Sequence, residues 1–548
     1  MGTANEDEDP MRGTVLLTTF VIRRKRCRVY FHRGTLVWET ERPPYTRWKL
    51  ALTDVISATY GPGGGGGGGS SFEDEAPTSF ALNYAARAAK NKWRKHTVTM
   101  SHDDPRQIAS WVKTINNYLA ALPQRPRKIL LFVNPYGGKR KGLRIWEKRV
   151  APLMQLAGVE AKVVVTERAG HIRDTLLSCE LDNYQAAVCV GGDGTFSELF
   201  NGLIWRAARD LRLDLNDPGA PLPQPSLPVG MIPGGSTDTL AYSLHGTCDA
   251  ETAALHIIFG DTAGLDLSTV HGDGTGLLRI YASILSYGYL GDVVRDSEKF
   301  RWMGPQRYDY SGFKKIIANK GYEGEVMLLS DTDEPASGSR CTRDCPRCSE
   351  RSGPGGPEDR LSSESPGPRV RPPPRATLTR SARSPGWLTV RGKFFMVNGA
   401  NVSCACAKSP MGFSPHCHIG DGCVDVILVR HTSLINNIRM LLRLGSKDKT
   451  LYDLPFVEVY RAREFTFRAS EPKRRQQDQP EPDAKAKPNR GFKSQLSSSA
   501  LSVWNCDGEV IDAASVKIRV HCQLLKVLTR RMQPAPESRR RSSWFCLL

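Results

Sequence analysis

A chain of 548 residues, 40% of them hydrophobic, has enough material for two or three domains with cores of their own. Its 76 basic and 57 acidic residues leave a formal charge of +19, which points to an anionic partner: a membrane surface, a nucleotide or a nucleic acid. No apolar run reaches the roughly eighteen residues of a spanning helix, and no signal-peptide pattern opens the chain. Without a secretion signal, the 14 cysteines suit a reducing compartment and mostly free thiols. Glu6 stands where a myristoylation signal wants Ser or Thr, and Cys546 is third from the end, outside a prenylation box. The expectation is a soluble intracellular protein that meets membranes reversibly.

Residues 14–122 read as a small β-rich unit closed by a helix. Val15–Leu17 and Val29–Phe31 flank a basic turn of Arg23, Arg24, Lys25 and Arg26. Leu36–Trp38, Leu50–Leu52, Val55–Ile56, Phe80–Tyr84 and Thr97–Met100 are further strand candidates, and the tract Gly63–Gly69 can only be a loop. Asp104 starts a helix with the apolar stripe Ile108, Trp111, Val112, Ile115 and Leu119. Leu122–Pro126 is a linker.

From Lys128 strands and helices alternate. Ile129–Val133 reads as a buried strand ending in the turn Asn134-Pro135-Tyr136-Gly137-Gly138-Lys139, followed by a helix over about 144–157. Val163–Val165 is the next strand, and a helix follows near His171–Ser178. The apolar run Ala186–Val190 then stops at Gly191-Gly192-Asp193-Gly194-Thr195 and gives way to helical spacing. Val229–Ile232 ends the same way, at Pro233-Gly234-Gly235-Ser236-Thr237. Three glycine-bearing turns at the ends of probable parallel strands would line one crevice with N–H donors suited to phosphate. No Walker P-loop and no dinucleotide fingerprint is present. An acid inside such a turn repels phosphate unless a metal or a proton transfer requires it, which singles out Asp193.

Past about 262 β-like segments dominate: 277–285, 325–329, 392–397, 424–429, 456–460 and 516–520. They suggest a second, mostly β lobe. Residues 331–385 and 471–499 interrupt it with compositions typical of disorder, and the tail 531–548 is basic. Cys341, Cys345 and Cys348 have metal-ligand spacing, which Cys404 and Cys406 would complete; free flexible thiols are the default, and the metal is left unknown. Leu434–Leu444 is a basic amphipathic helix, suited to the core of the second lobe or to calmodulin. Arg539–Ser543 suits a basophilic kinase, and Trp544-Phe545 beside it could touch membrane.

The three turns together resemble the diacylglycerol kinase catalytic domain as used by the sphingosine and ceramide kinases. The stretches Tyr287–Tyr289 through Asp296–Lys299, Cys404–Cys406 and Trp504–Glu509 narrow the resemblance to the ceramide kinase family. The amino-terminal strand order resembles a pleckstrin homology domain. The implied architecture is a pleckstrin homology-like β-barrel with a C-terminal helix at 14–122, an α/β nucleotide lobe at 128–275 and a β-rich lipid-binding lobe at 276–525.

The resemblance implies a role for each matched position. Asp193 would be the general base that takes the proton of the lipid hydroxyl, with Gly191, Gly192 and Gly194 shaping the meeting point of lipid and phosphate. Asn134, Pro135, Tyr136, Gly137 and Gly138 would pack on the nucleotide, with Thr166, Glu167, Arg168, Ala169 and Gly170 near adenine. Glu198, Gly235, Ser236 and Thr237 would complete that pocket. Arg301 and Arg307 would reach its phosphates, and Asp507, Gly508 and Glu509 would return to the cleft. Asp292 and Asp296 would orient lipid hydroxyls. Val294 stands where sphingosine kinases carry an acid for the lipid amine, which favours an N-acylated lipid. Arg23, Arg24, Lys25 and Arg26 would hold a phosphoinositide headgroup, helped by Lys90, Lys92, Arg94 and Lys95. The implied cofactors are ATP and Mg2+, with Ca2+ acting through calmodulin as an option. The implied partners are ceramide and an anionic, phosphoinositide-bearing membrane, with no nucleic acid. The implied location is the cytoplasm, peripheral to Golgi and plasma membranes. The alternatives are an inactive lipid-binding relative and a kinase for another lipid alcohol such as diacylglycerol.

Overall fold

The computed structural model describes residues 15–61, 77–138, 140–304, 306–330, 341, 345–350, 378–380, 387–406, 408–470 and 501–530, and arranges them on two sheets. The glycine tract, the stretch 471–499, the tail with Arg539–Phe545, Lys139 and most of 331–385 lie outside the described residues.

The first sheet is built from β1 (Leu16–Ile22), β2 (Lys25–His32), β3 (Thr35–Thr40), β4 (Arg47–Ala51), β5 (Val55–Tyr60), β6 (Ser79–Ala89) and β7 (Lys92–Ser101). They pair antiparallel in the order β4-β3-β2-β1-β7-β6-β5. The alternation in β2 sets its two faces: Cys27, Val29 and Phe31 are buried, while Arg26, Arg28 and His32 are exposed. Ile22 pairs with Lys25, so the hairpin turn is Arg23-Arg24 alone, and Lys25 and Arg26 already belong to β2. Both turn residues are left-handed, with φ of 50° and 66°. Such a turn favours Asn-Gly, and an L side chain there costs roughly 1–2 kcal/mol. Helix α1 (Pro105–Ala121) begins at Asp104, whose carboxylate accepts from the Arg106 N–H, and it buries the predicted stripe with Tyr118 added. Trp111 packs edge-on against Phe20 at 5.4 Å and donates to Thr18 Oγ1 at 3.0 Å.

The second sheet opens with β8 (Lys128–Val133), α2 (Gly142–Ile145), a π-helical turn, α3 (Ala151–Leu156), β9 (Glu160–Val165), α4 (His171–Ser178) and β10 (Ala186–Gly191). The π turn lies where Pro152, near the start of α3, could not sit inside an uninterrupted α-helix. Then come α5 (Asp193–Leu211), β11 (Val229–Pro233), α6 (Thr239–His245) and α7 (Ala250–Phe259). Strands β9-β8-β10-β11 are parallel and almost wholly apolar at the centre, as strands covered on both faces must be.

The chain continues with β12 (Thr262–Gly272), β13 (Gly276–Tyr281), β14 (Ile284–Gly288), α8 (Tyr289–Ser297), α9 (Gln306–Ala318) and β15 (Tyr322–Ser330). After α10 (Pro346–Glu350) and β16 (Leu378–Arg380) come β17 (Trp387–Ala400), β18 (Val424–Arg430), α11 (Leu434–Leu444), β19 (Val457–Ala469), β20 (Trp504–Cys506), β21 (Glu509–Ile511) and β22 (Ser515–Leu528). This part is antiparallel throughout, apart from β22. That strand pairs antiparallel with β12 and β19 and parallel with β11, joining two lobes in one fifteen-stranded sheet. The change from parallel to antiparallel falls at Gly260, and β12, unread in the sequence, already belongs to the antiparallel part. The disorder expected across 331–385 does not extend to Cys341 and residues 345–350: all three cysteines are buried, two of them at α10. Among the described residues no helix is long and apolar enough to cross a membrane.

The linker is locked rather than loose. Gly260 has φ +76°, and a Cβ there would fall 1.8 Å from the carbonyl oxygen of Gln124. Arg125 donates to the carbonyls of Leu52, Thr53 and Val55, and its burial pulls its pKa down to about 10. Arg530 lies between the two sheets, paired with Asp54 on one side and Asp261 on the other, its guanidinium 4.0 Å from the Phe259 ring centre. Arg94, expected to serve a headgroup, instead holds α7, with Asp249 at 2.6 Å and Glu251 at 3.3 Å. Lys90, Lys92 and Lys95 remain exposed.

Candidate active site

The carboxyl ends of β9, β8, β10 and β11 lie side by side; β8, β10 and β11 each run into one of the three predicted turns, and β9 runs into Thr166–Gly170. Asn134 orders the first turn: its side-chain oxygen accepts from the N–H groups of Tyr136 and Gly137, and its amide donates to Thr195 Oγ1 at 2.9 Å. The three glycine turns touch. A Cβ on Gly138 (φ +56°) would stand 2.6 Å from the carbonyl carbon of Gly235, and one on Gly235 would stand 2.6 Å from both Gly192 Cα and Asp238 Oδ1. Only glycine permits backbones to meet this closely, so the crevice floor is a convergence of main chain. Ser236, Thr237 and Gly194 are exposed above it, and Tyr136 is largely exposed at its edge.

Asp193 is the first residue of α5, just after Gly192 at the cap. Its two carboxylate oxygens accept from the N–H groups of Thr239 and Leu240, at 3.0 and 2.9 Å, at the start of α6. Burial nevertheless holds it above the usual carboxylate range, with those N–H groups opposing the shift. Asp238, left-handed at φ 53°, accepts from the Gly235 N–H at 2.8 Å. Burial, reinforced by the charge on Asp193, pushes it up to about 6.

The third acid comes from the other lobe. Asp507 and Gly508 form the two-residue turn of the β20–β21 hairpin, both with positive φ, which explains the Asp-Gly pair locally. The Asp507 carboxylate reaches back to the N–H groups of Ala282, Ser283 and Ile284 at 2.9, 3.1 and 2.9 Å. Burial pushes it up to about 6 in spite of those N–H groups, with Asp193 adding to the shift. Three acids thus converge electrostatically, and Asp193 stands at the join of the lobes. A carboxylate poised above its ordinary range beside anion-binding turns has the properties of a proton acceptor.

Other predicted residues hold the frame. Thr166 is buried, its N–H bonded to the Val133 carbonyl. The Glu167 N–H donates to His171 Nδ1, Arg168 pairs with Asp174 at 2.7 Å and also donates to the Ala169 carbonyl, and Gly170 caps α4 with φ +81°. Glu198 accepts from the Ile172 N–H at 2.9 Å and so fastens α5 to the first turn of α4. Glu509 pairs with Arg279 at 2.6 Å. Arg301 and Arg307 both pair with Glu298, and Arg307 also lies 4.7 Å from the centre of the Tyr308 ring. Asp292 is buried and bonded to Arg295, Ser502 and Tyr322, while Asp296, also buried, faces Lys299 and Lys314. Cys404 donates to the carbonyls of Val402 and Ser283. Asp238 had not been assigned a role, although it directly follows the glycine turn; its position in that motif was the available signal.

Residues 128–270 match the family model of the diacylglycerol kinase catalytic domain, and residues 373–546 match that of the ceramide kinase C-terminal domain. The chain is a lipid kinase with a diacylglycerol kinase-type catalytic domain. It is 38% identical over 476 residues to the ceramide kinase of Homo sapiens, covering 85% of each chain. It is 39% identical over 464 residues to that of Mus musculus, covering 83% of this chain and 84% of the other. The chain belongs to the ceramide kinase family. A solved diacylglycerol kinase of Bacillus anthracis str. Sterne aligns with a TM-score of 0.43 at 14% identity, over 74% of this chain and 97% of its own.

Proposed function

We propose that this lipid kinase transfers the γ-phosphoryl group of ATP to the primary hydroxyl of ceramide at a membrane surface. The observation that carries the reading is Asp193, held by two helix N–H groups where the glycine turns and both lobes meet. The lipid oxygen attacks the γ-phosphorus, its proton passes to Asp193, and the bond to the β-phosphate breaks to release ADP. The turns at Asn134–Gly138 and Gly234–Thr237 cradle the phosphates through N–H groups, and positioning supplies most of the catalysis. The Asp238 carboxylate beside the Gly235 turn would offer a hard oxygen to a magnesium ion carried in with ATP, which would neutralise phosphate charge and leave Asp193 to take the proton. Val294 is buried and apolar, a surrounding that suits a neutral amide and would leave a sphingosine ammonium without a partner. With ATP and magnesium, wild-type protein is expected to phosphorylate ceramide in mixed micelles in preference to sphingosine and diacylglycerol. No product from ceramide would refute the reading.

Membrane contact is supported by two surfaces. On α9 and α11, Phe313 and Ile317 and then Ile435, Ile438 and Leu442 form exposed apolar rows, Phe313 at 67% and Leu442 at 73% exposure. The helices are joined by Asn437 donating to Asn319 Oδ1 at 2.6 Å. The same row on α11 is what calmodulin would read in a calcium-dependent alternative. The amino-terminal unit, read as a pleckstrin homology-like fold, presents the second surface in Arg23, Arg24, Lys25 and Arg26. Arg26 is shared with Glu41 at 3.2 Å. Replacing Arg23, Arg24 and Lys25 by alanine is expected to weaken binding to phosphoinositide vesicles by on the order of a hundredfold, given about 1 kcal/mol per basic residue near an anionic surface. Cosedimentation at fixed salt checks this, and unchanged binding would remove the hairpin from the membrane-contacting surface. The location that fits is the cytoplasm, peripheral to Golgi and plasma membranes.

A further inference from the structure

We propose that Cys341, Cys345, Cys348 and His418 bind one zinc ion in a closed structural site. All four side chains are buried, with exposures of 9%, 5%, 7% and 4%. Their ligand atoms lie within 4.8 Å of one another. Cys341 Sγ is 3.6 Å from Cys348 Sγ, and Cys345 Sγ is 3.1 Å from His418 Nδ1. A tetrahedral zinc with its usual bond lengths wants about 3.8 Å between sulfurs and about 3.5 Å from sulfur to nitrogen. Those two distances are within a few tenths of an ångström of a loaded site, and the other pairs lie within 4.8 Å. The sequence suggested Cys404 and Cys406 as completing ligands, but the fourth group is an imidazole some seventy positions from the triplet.

The surrounding hydrogen bonds orient the ligand loops, as they do around structural metals. Gln523 Nε2 donates to the carbonyls of Cys348 and Gly420 at 2.7 and 2.8 Å, tying the cysteine loop to the histidine loop. Asp266 on β12 donates its N–H to the Ile419 carbonyl, and its carboxylate accepts from the N–H groups of Gly422 and Gln523. Three thiolates with one imidazole, fully enclosed, is a donor set that suits zinc and leaves no open position for substrate. The thiols bind as thiolates and release their protons to solvent. The ion would fasten Cys341 and residues 345–350 to the second lobe beside α6: Cys341 shares a small cavity with Tyr242 and Ser243 of that helix.

The test uses the full chain, purified under reducing conditions from cells grown with zinc. Elemental analysis should find one zinc per chain. After chelation, added cobalt(II) should give the intense absorption of a tetrahedral thiolate complex. Cys348→Ser and His418→Ala should lose the bound zinc. His418→Cys should keep it as a four-thiolate site, and Cys406→Ser should keep it unchanged. Wild-type protein that carries no zinc and takes up no cobalt would overturn the proposal, whatever the variants do. So would zinc retained in both Cys348→Ser and His418→Ala, or a Cys341–Cys348 disulfide in place of metal.

Discussion

Replacing Asp193 by asparagine is expected to lower turnover of ceramide by about 10²–10⁴-fold, the range a positioned general base contributes. The asparagine oxygen still accepts one of the two α6 N–H groups, so ATP binding and the thermal melt should stay close to wild type. The wild-type pH profile carries the same information. Burial raises Asp193 above the ordinary range, and it likewise pushes Asp238 and Asp507 up to about 6, with the charge on Asp193 adding to both shifts. A raised acid is protonated, and useless as a base, at pH values where an ordinary carboxylate is still charged. Activity should therefore start to fall, as pH drops, above the ordinary carboxylate range of about 4. Asp193→Asn should lose that acid limb along with the rate. Turnover unchanged in the variant would remove Asp193 from the reaction.

Arg530→Ala is the second large effect. It removes the guanidinium between Asp54 and Asp261, a hydrogen bond to the Thr53 carbonyl at 2.9 Å and the contact with Phe259. Arg530 is only 6% exposed, so the two acids lose a desolvated partner. A loss of roughly 2–4 kcal/mol from the contact between the amino-terminal unit and the first lobe is expected. Lysine should not restore it, because an ammonium cannot address two carboxylates and a carbonyl in one plane. Hydrogen exchange should locate the loss in the linker at 122–127 and around Trp93, with the parallel strands still protected. Protection unchanged at the linker would show that Arg530 does not hold the two units together.

The parallel strands and their three turns were legible because each turn is announced twice, by an apolar run that stops and by glycines that follow. Gly138, Gly192 and Gly235 do meet, so the inference from repetition to one shared crevice was physically sound. What escaped depends on distant partners. Asp507 is placed at the cleft by the family resemblance alone, since locally it looks like an ordinary hairpin Asp-Gly; its partners, the N–H groups of Ala282–Ile284 more than two hundred residues earlier, are visible only in the fold. His418 carries no spacing relation to Cys341, Cys345 and Cys348, and its role depends on the packing of β12 and β22. Arg94 read as one basic residue among several in a hairpin, since its pairing with Asp249 is invisible without the position of α7. Insert composition misled for a related reason: a polar, proline-rich stretch predicts no core of its own, yet three of its side chains are buried in a neighbour's.

The strand β22 bears on how the cleft can work mechanically. It runs along β12 and β19 for most of its length, but meets β11 at one register pair, Val527 with Val229, at the end of β11 away from its glycine turn. Swinging the lobes apart would therefore break one bridge between strands and leave the long antiparallel ladders whole. The protein is better regarded as two plates joined along a short crease, each stiff in itself. Asp193 and Asp507 stand on different plates, so a small change of angle at the crease alters their spacing while each plate keeps its own ladders.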